Sequence, residues 1–394
     1  MIVSQNSFSQ RRSALTFLIH FGFALIGIAT TLLGVILPAL SDRLMLTDSE
    51  SGGLFTAQFA GSLVGTLLSE QLSKRIGFLS TISIGLLATA LGVLGTGSLS
   101  WQAVVFCVFL NGCGLGLSIP TVNLLIARYN GERAAAALNI LNFAWGVGAV
   151  LSPSLIAILG DKNDIRLPLS ALSMLLLLTA FCLLFFRQSS HFSEQSFAPS
   201  LQSNTGREIW RSRFAVLSLA SFFLYVGTEN CLGGWLTAFS VRLTDLPLWT
   251  LTTIFWLAFL LGRLLAPLFL RRIQKQIFIL ICLTVAAVGS LPLLFATSVN
   301  FIVAGVVLSG FGLAPIFPTA LAQFTDYFGE TGQHQARWLF VSGTLGGASL
   351  TWLVGSLSTI FGDLRIGLYV IFFNCVLLIL LQVPNVRKSN ILKD

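Results

Sequence analysis

Twelve apolar runs of about 20 residues or more recur along this chain of 394 residues, and they fix what it can fold into. They lie near 14–40, 52–72, 78–98, 101–127, 134–159, 167–186, 213–240, 249–270, 277–297, 300–325, 336–361 and 363–383. Each is long enough for a helix to cross roughly 30 Å of hydrocarbon. In lipid, only helices or closed barrels satisfy every backbone polar group, and runs this long read as helices. Charged residues make up 10% of the chain, against about 25% in a soluble domain. The first run is too long for a cleavable signal peptide and continues into the array. The fold class expected is an all-α membrane protein with twelve transmembrane helices.

The net charge of +8 does not point to nucleic acid, because the basic residues sit at the ends of the apolar runs. With the N-terminus inside, seventeen of the 23 Lys and Arg residues fall in inside segments. Five (Arg43, Lys162, Arg166, Arg242 and Arg365) fall outside, and Arg263 lies within a run. Both termini are therefore expected to be cytoplasmic, in a plasma (inner) membrane. The six cysteines all fall inside apolar runs without a CxxC pair, so buried free thiols are expected rather than metal or disulfide chemistry.

The longest polar stretch, Gln188 to Ser212, is rich in Ser, Gln and Asn and reads as a cytoplasmic linker, part of it a candidate surface helix. Neither it nor its His191 reads as a binding site. The expected organisation is a six-helix bundle over 1–187, the linker over 188–212, and a second six-helix bundle over 213–394. The two halves repeat each other. Asn111-Gly-Cys-Gly-Leu-Gly-Leu-Ser-Ile-Pro-Thr121 returns as Ser309-Gly-Phe-Gly-Leu-Ala-Pro-Ile-Phe-Pro-Thr319, at an offset of 198. The same offset pairs Tyr129-Asn-Gly-Glu132 with Tyr327-Phe-Gly-Glu330, and Gly148 with Gly346. An offset of 200 pairs Gly27 with Gly227 and Gly34 with Gly234. Parallel repeats of this kind place a substrate site near the bilayer midplane, where the halves meet.

The centre of the seventh run, Tyr225-Val-Gly-Thr-Glu-Asn-Cys-Leu-Gly-Gly-Trp235, holds Glu229, the one carboxylate deep inside any apolar run. Burying a carboxyl at membrane depth costs several kcal/mol unless a partner meets it. Tyr225 and Glu229 share a helix face, with Gly227, Asn230 and Gly234 on an adjoining stripe. Such a helix reads as a cavity wall; the structural alternative is a Glu tying two helices together.

Over essentially its whole length the chain resembles the major facilitator superfamily, and the seventh-run pattern is similar to its fucose permease and sodium-dependent glucose transporter branch. Asn123, the stretch Leu138-Asn-Ile-Leu-Asn-Phe-Ala-Trp-Gly-Val-Gly-Ala149, and Trp256 with Gly262-Arg263 are also similar to that branch. The resemblance implies two pseudo-symmetric six-helix bundles, alternating access and a sugar-like substrate. The loop Gly65-Thr-Leu-Leu-Ser-Glu-Gln-Leu-Ser-Lys-Arg-Ile-Gly77 keeps Gly65, Lys74, Arg75 and Gly77 of the superfamily's loop motif but lacks its aspartate. The fucose permease carries carboxylates in its first and fourth helices for proton coupling. Here the first helix has none and the fourth-helix position falls at Ile119.

A sugar needs amides and carboxylates for its hydroxyls and aromatic rings for its faces. The first half offers Gln58, Asn111, Asn123, Asn142 and Trp145, with Asn142 and Trp145 three apart on one face; Asn139 lies nearer the cytoplasm. The second half offers Glu229, Asn230, Trp256, Gln323 and Ser342, besides Trp338. Trp235 and Trp256 fall toward the outer ends of their helices, where an interfacial belt and a gate compete as roles. Arg263 comes within a few ångströms of the depth of Glu229, so the two form a candidate coupling or gating pair. His20 reads as a packed or snorkelling side chain rather than a proton relay.

No GxxxxGK[ST] loop occurs and none of the five lysines follows a glycine, which excludes a built-in ATPase. One acid deep in the runs and one histidine are too few for a membrane-embedded enzyme, so no enzymatic activity is expected. The expectation is a secondary transporter of a small polar solute, a hexose or deoxyhexose, acting as a monomer in the lipid bilayer. An efflux pump for amphipathic drugs is the rival reading, favoured by the 33 Phe. No cofactor is expected. Coupling ranks as none first, then H+ or Na+, since a fixed Arg263 charge would keep Glu229 from cycling protons.

Overall fold

The computed structural model describes residues 2–98, 100–160, 164–189, 204–243 and 250–391. His191 and most of the polar stretch around it, Lys162 and Lys393 lie outside the described residues. Thirteen α-helices follow one another: α1 (Ile2–Leu44), α2 (Asp48–Ile76), α3 (Phe78–Gly95), α4 (Trp101–Asn130), α5 (Ala134–Leu159) and α6 (Arg166–Ser189), then α7 (Arg213–Leu243), α8 (Thr250–Leu270), α9 (Lys275–Phe295), α10 (Val299–Leu313), α11 (Ile316–Gln335), α12 (Arg337–Phe361) and α13 (Leu364–Ile391).

Eleven candidate spans are both long and apolar enough to cross a membrane, with Val299–Gly329 counted as one of them. The twelfth is α2, whose 29 residues suffice in length but whose uncharged centre is diluted by Gly, Ser, Thr and Gln58. The fold is an all-α membrane protein with twelve spans in two pseudo-symmetric sets of six. One expected run breaks. The tenth, predicted as a single helix over 300–325, divides at Ala314 and Pro315 into α10 and α11. Pro315 has no N–H to extend α10, and its ring crowds the preceding turn. Its counterpart in the first repeat is Leu117, and there α4 runs on unbroken to Asn130.

The chain forms two compact units. One comprises Met1–Ala39 and Ala57–Ala198; the other comprises Leu40–Thr56 and Pro199–Asp394. The paired glycines do equivalent work in each. In the first, a Cβ on Gly148 would lie 1.9 Å from the Ala24 carbonyl oxygen, so α5 crosses α1 backbone to backbone. In the second, a Cβ on Gly346 would lie 1.9 Å from the Phe223 carbonyl oxygen, and α12 crosses α7 in the same way. Gly114 seats α4 on α3 at Gly85 and Thr89, and Gly312 seats α10 on α9 at Cys282 and Ala286. Without a hydrophobic drive between helices in lipid, such close backbone approach is what holds helices together. Around these crossings Ser83 and Ser173 tie α6 to α3 through the Ala180 and Ala90 carbonyls, at 3.1 and 3.0 Å.

All six cysteines are free thiols. Cys231, Cys282 and Cys375 are buried, but Cys182 is exposed on α6, against the expectation that all would be covered. The repeat also extends to backbone conformation. Gly131 has φ 50° and ψ −120°, and its partner Gly329 has φ 58° and ψ −141°, a region almost closed to residues with a Cβ. Neither glycine has a neighbour within 4 Å of a built Cβ, so conformation alone excludes other residues there. Gly131→Ala and Gly329→Ala should each destabilise the protein by about 1–2 kcal/mol, seen as a lower melting temperature of the purified protein. Gly53→Ala, in a helix with equally open space, should leave it unchanged or raise it slightly.

Candidate functional site

In the second unit, the tandem prolines after α10 create a backbone acceptor. The Ala314 carbonyl would normally receive the N–H four residues on, but that residue is Pro318, which has none. The Arg263 Nε takes that place, donating to the Ala314 oxygen at 3.3 Å. Gly262 beside it brings α8 close, since a Cβ there would lie 2.8 Å from the Ala314 Cβ. The guanidinium also lies 4.4 Å from the Phe259 ring centre, one turn earlier on α8. An arginine in a membrane helix is thus fixed by one carbonyl and one aromatic face.

Glu229 of α7 lies within electrostatic reach of this charge. Tyr225, one turn before Glu229, is 2% exposed. Its hydroxyl faces both charged groups but stops short of hydrogen-bonding geometry. The Tyr225 ring packs on Phe317 of α11 with centres 6.1 Å apart. On its other side it borders a narrow crevice with Ser221, Phe222, Phe317, Ala320 and Gln382, with room for roughly one or two water molecules.

The first unit shows the same proline device with a neutral donor. Pro120 leaves the Gly116 carbonyl without its helical partner, and the Thr66 hydroxyl of α2 approaches it at 3.4 Å. Gly116 and Ala314 stand at the repeat offset of 198. The donor is Thr in one unit and Arg in the other, so only the second unit fixes a charge at this place.

The other sequence-derived candidates divide by environment. Gln58 and Asn111 are buried in the first unit, at 6% and 4% exposure, with the Gln58 Nε2 and the Asn111 Oδ1 unpartnered. Asn123, Asn142 and Asn230 each donate an amide N–H to the carbonyl four residues back, at 2.8 Å. Each keeps its amide oxygen as an acceptor. Asn139 and Asn142 are exposed and Trp145 is half-buried, so these three form one accessible stripe along α5. In the second unit Trp256 is buried against Gly233 of α7 and packs edge-on with Phe255 and Phe259. Trp235 is fully buried: its Nε1 donates to the Thr351 carbonyl at 3.0 Å and its ring lies 6.2 Å from Phe55. Ser342 donates to the Leu219 carbonyl at 2.9 Å, tying α12 to α7. Gln323 is half-buried on α11 and Trp338 is exposed. His20 holds the Thr16 carbonyl of its own helix at 2.8 Å, a packed role.

The structure thus brings together Tyr225, Glu229 and Arg263, and sets Asn142 and Trp145 on one face. A set of residues outside the sequence-derived candidates also meets. Asp48 at the start of α2 accepts from both terminal nitrogens of Arg242, at 2.7 and 2.5 Å, and from Ser358 at 2.5 Å. The partners lie 194 and 310 residues away from Asp48, and no sequence spacing signals the contact.

A family model described as the Major Facilitator Superfamily matches residues 19–348. The chain is 23% identical over 348 residues to the glucose/mannose transporter GlcP of Bacillus subtilis (strain 168), covering 85% of this chain and 86% of the relative. It is 22% identical to the sodium-dependent glucose transporter 1A of Mus musculus, covering 89% and 91%. Among solved structures it is similar to FucP in the outward conformation, with a TM-score of 0.66 and 17% identity over 93% of this chain and 97% of that one. At that identity the likeness speaks for the fold.

Removing Arg263 strands a carboxylate in a largely apolar site, whereas removing the carboxylate leaves an arginine still held by Ala314 and Phe259. Arg263→Ala should therefore destabilise the protein more than Glu229→Gln. The double variant should recover part of the Arg263→Ala loss. Denaturation midpoints of the three variants check this; equal and additive losses would show the two groups to be uncoupled.

Proposed function

Because this chain belongs to the Major Facilitator Superfamily, we propose that it is a secondary transporter carrying a monosaccharide, a hexose or deoxyhexose, by alternating access. The observation that carries the reading is Glu229, one turn after the buried Tyr225 on α7, within electrostatic reach of an Arg263 anchored on the Ala314 carbonyl. A charged group at membrane depth usually marks a solute pathway. Here a carboxylate acceptor, a guanidinium donor and a phenol combine the polar groups that sugar hydroxyls pair with.

The accessible stripe of Asn139, Asn142 and Trp145 supports the same class of substrate, offering amide acceptors next to an aromatic face. Amides on the open face of a membrane helix are unfavourable against lipid and favourable against a hydrated cavity. The glucose and mannose named for the relatives GlcP and sodium-dependent glucose transporter 1A fit these groups. The groups proposed to meet the solute are Asn142 and Trp145 in the first unit, and Tyr225, Glu229, Asn230 and Arg263 in the second. Gln58, Asn111, Asn123, Trp256, Gln323 and Ser342 form a supporting set of buried and half-buried groups. No enzymatic step is proposed.

The proposed location is the plasma (inner) membrane with both termini cytoplasmic, which the asymmetry of the Lys and Arg residues supports, and the proposed state is a monomer. Transport is proposed to be uniport. The fourth-helix position that carries an acid in the fucose permease is Ile119.

Purified protein should melt at a higher temperature with glucose, mannose or fucose, since a ligand bound by the folded state alone stabilises it. Trp145→Ala should weaken that binding about 5- to 10-fold, the loss of roughly one aromatic contact, with little change in the unliganded melting temperature. In proteoliposomes, sugar should exchange without response to imposed pH or sodium gradients. Gradient-driven accumulation would reject uniport. Movement of amphipathic dyes with no response to sugars would reject the sugar reading itself.

A further inference from the structure

The crevice beside Tyr225 lies wholly inside the second unit, where α7, α9, α11 and α13 meet. The side chains that wall it on α9 and α13 are buried, as are Phe222 and Tyr225 of α7. Ser221 and Ala320 also line it and are half-buried. Its room, for roughly one or two water molecules, is far too small for a sugar. With apolar walls alone so small a space would stay dry. These walls are not all apolar.

The helix α13 turns Leu378 and Gln382 to this space, and Asn374 lies one turn before Leu378 on the same helix face. Gln382 is 7% exposed and Asn374 5%. Asn374 lies midway along the span Leu364–Val383, and its Nδ2 has no hydrogen-bond partner among the described residues. The Tyr225 hydroxyl likewise makes no hydrogen bond to them. Buried amides and phenols left unpaired cost stability, and hydrocarbon supplies nothing to meet them. Nor does packing of the repeat call for amides here. The last helix of the first unit, α6, carries no Asn or Gln before Gln188.

We propose that this crevice is a resident water site of the second unit: one or two waters sit in it against the Tyr225 ring, held by the Gln382 amide and the Ser221 hydroxyl. An amide brings donors and acceptors together, and a hydroxyl does the same, which meets the two to four hydrogen bonds a buried water needs. The held water has a consequence for Tyr225. An empty space beside a ring forfeits contacts on that face. Water in the space restores them and keeps the ring seated on Phe317, with centres 6.1 Å apart. Gln382 and Ser221 are therefore positioning residues, acting on Tyr225 through the water. The water site belongs to the second unit alone and holds whether or not the solute is a sugar.

X-ray radiolysis of the full-length protein in detergent is the test, with water itself as the probe. Radicals formed from a bound water oxidise the side chains beside it. Phe222, 2% exposed and lining the crevice, should be oxidised several-fold faster than Phe239 and Phe255, which are 0% exposed and do not line it. Equal rates for the three would overturn the water site. Ala320→Leu fills the space with carbon, and the Phe222 rate should then fall to that of Phe255. A Phe222 rate unchanged in the folded variant would overturn it as well. Should that variant not fold, Gln382→Leu, which keeps the volume and removes the amide, is read in the same way. Neither measurement contains a sugar, so a protein that ignores sugars in the melting assay can still show the water.

Discussion

A helix carbonyl left without its donor is the point on which the second unit's chemistry turns. Pro318 supplies no N–H to Ala314, and a buried, unpaired carbonyl costs free energy comparable to a lost hydrogen bond. Arg263 meets that need at 3.3 Å and so gains an anchor that does not depend on Glu229. The consequence is functional. A charge held by the backbone and by the Phe259 face has a place of its own, whatever Glu229 and Tyr225 do. Had Glu229 been its only partner, each rearrangement would have stranded two charges in hydrocarbon.

The repeat shows how one scaffold yields two different halves. Gly148 and Gly346, Gly131 and Gly329, and the proline-vacated carbonyls of Gly116 and Ala314 recur at a single offset with matching geometry. These are backbone devices, and they build stiff bundles whatever the side chains nearby. The side chains then diverge. At the vacated carbonyl stands Thr66 in one half and Arg263 in the other. An amide stripe lies on α5, and no amide stands at the corresponding positions of α12, where Phe340 and Gly343 replace Asn142 and Trp145 at the same offset. Stiff halves with unlike linings suit a mechanism in which bundles move as bodies around an asymmetric ligand.

Much of this was legible in the sequence because membranes leave so few solutions. Twelve spans, the repeat and Glu229 with Arg263 follow from run length, glycine register and the scarcity of charge at depth. The break at Ala314 and Pro315 did not stand out, because a proline in a membrane run is often tolerated, as Pro120 is in α4. Environments were harder to read than elements. Gln58 and Asn142 are both amides in apolar runs, yet one is buried and the other exposed. Facing direction depends on crossings that a single helix does not encode. The Asp48 contacts were not legible at all, since their partners are hundreds of residues away and an aspartate at a helix start already has a local reason to be there.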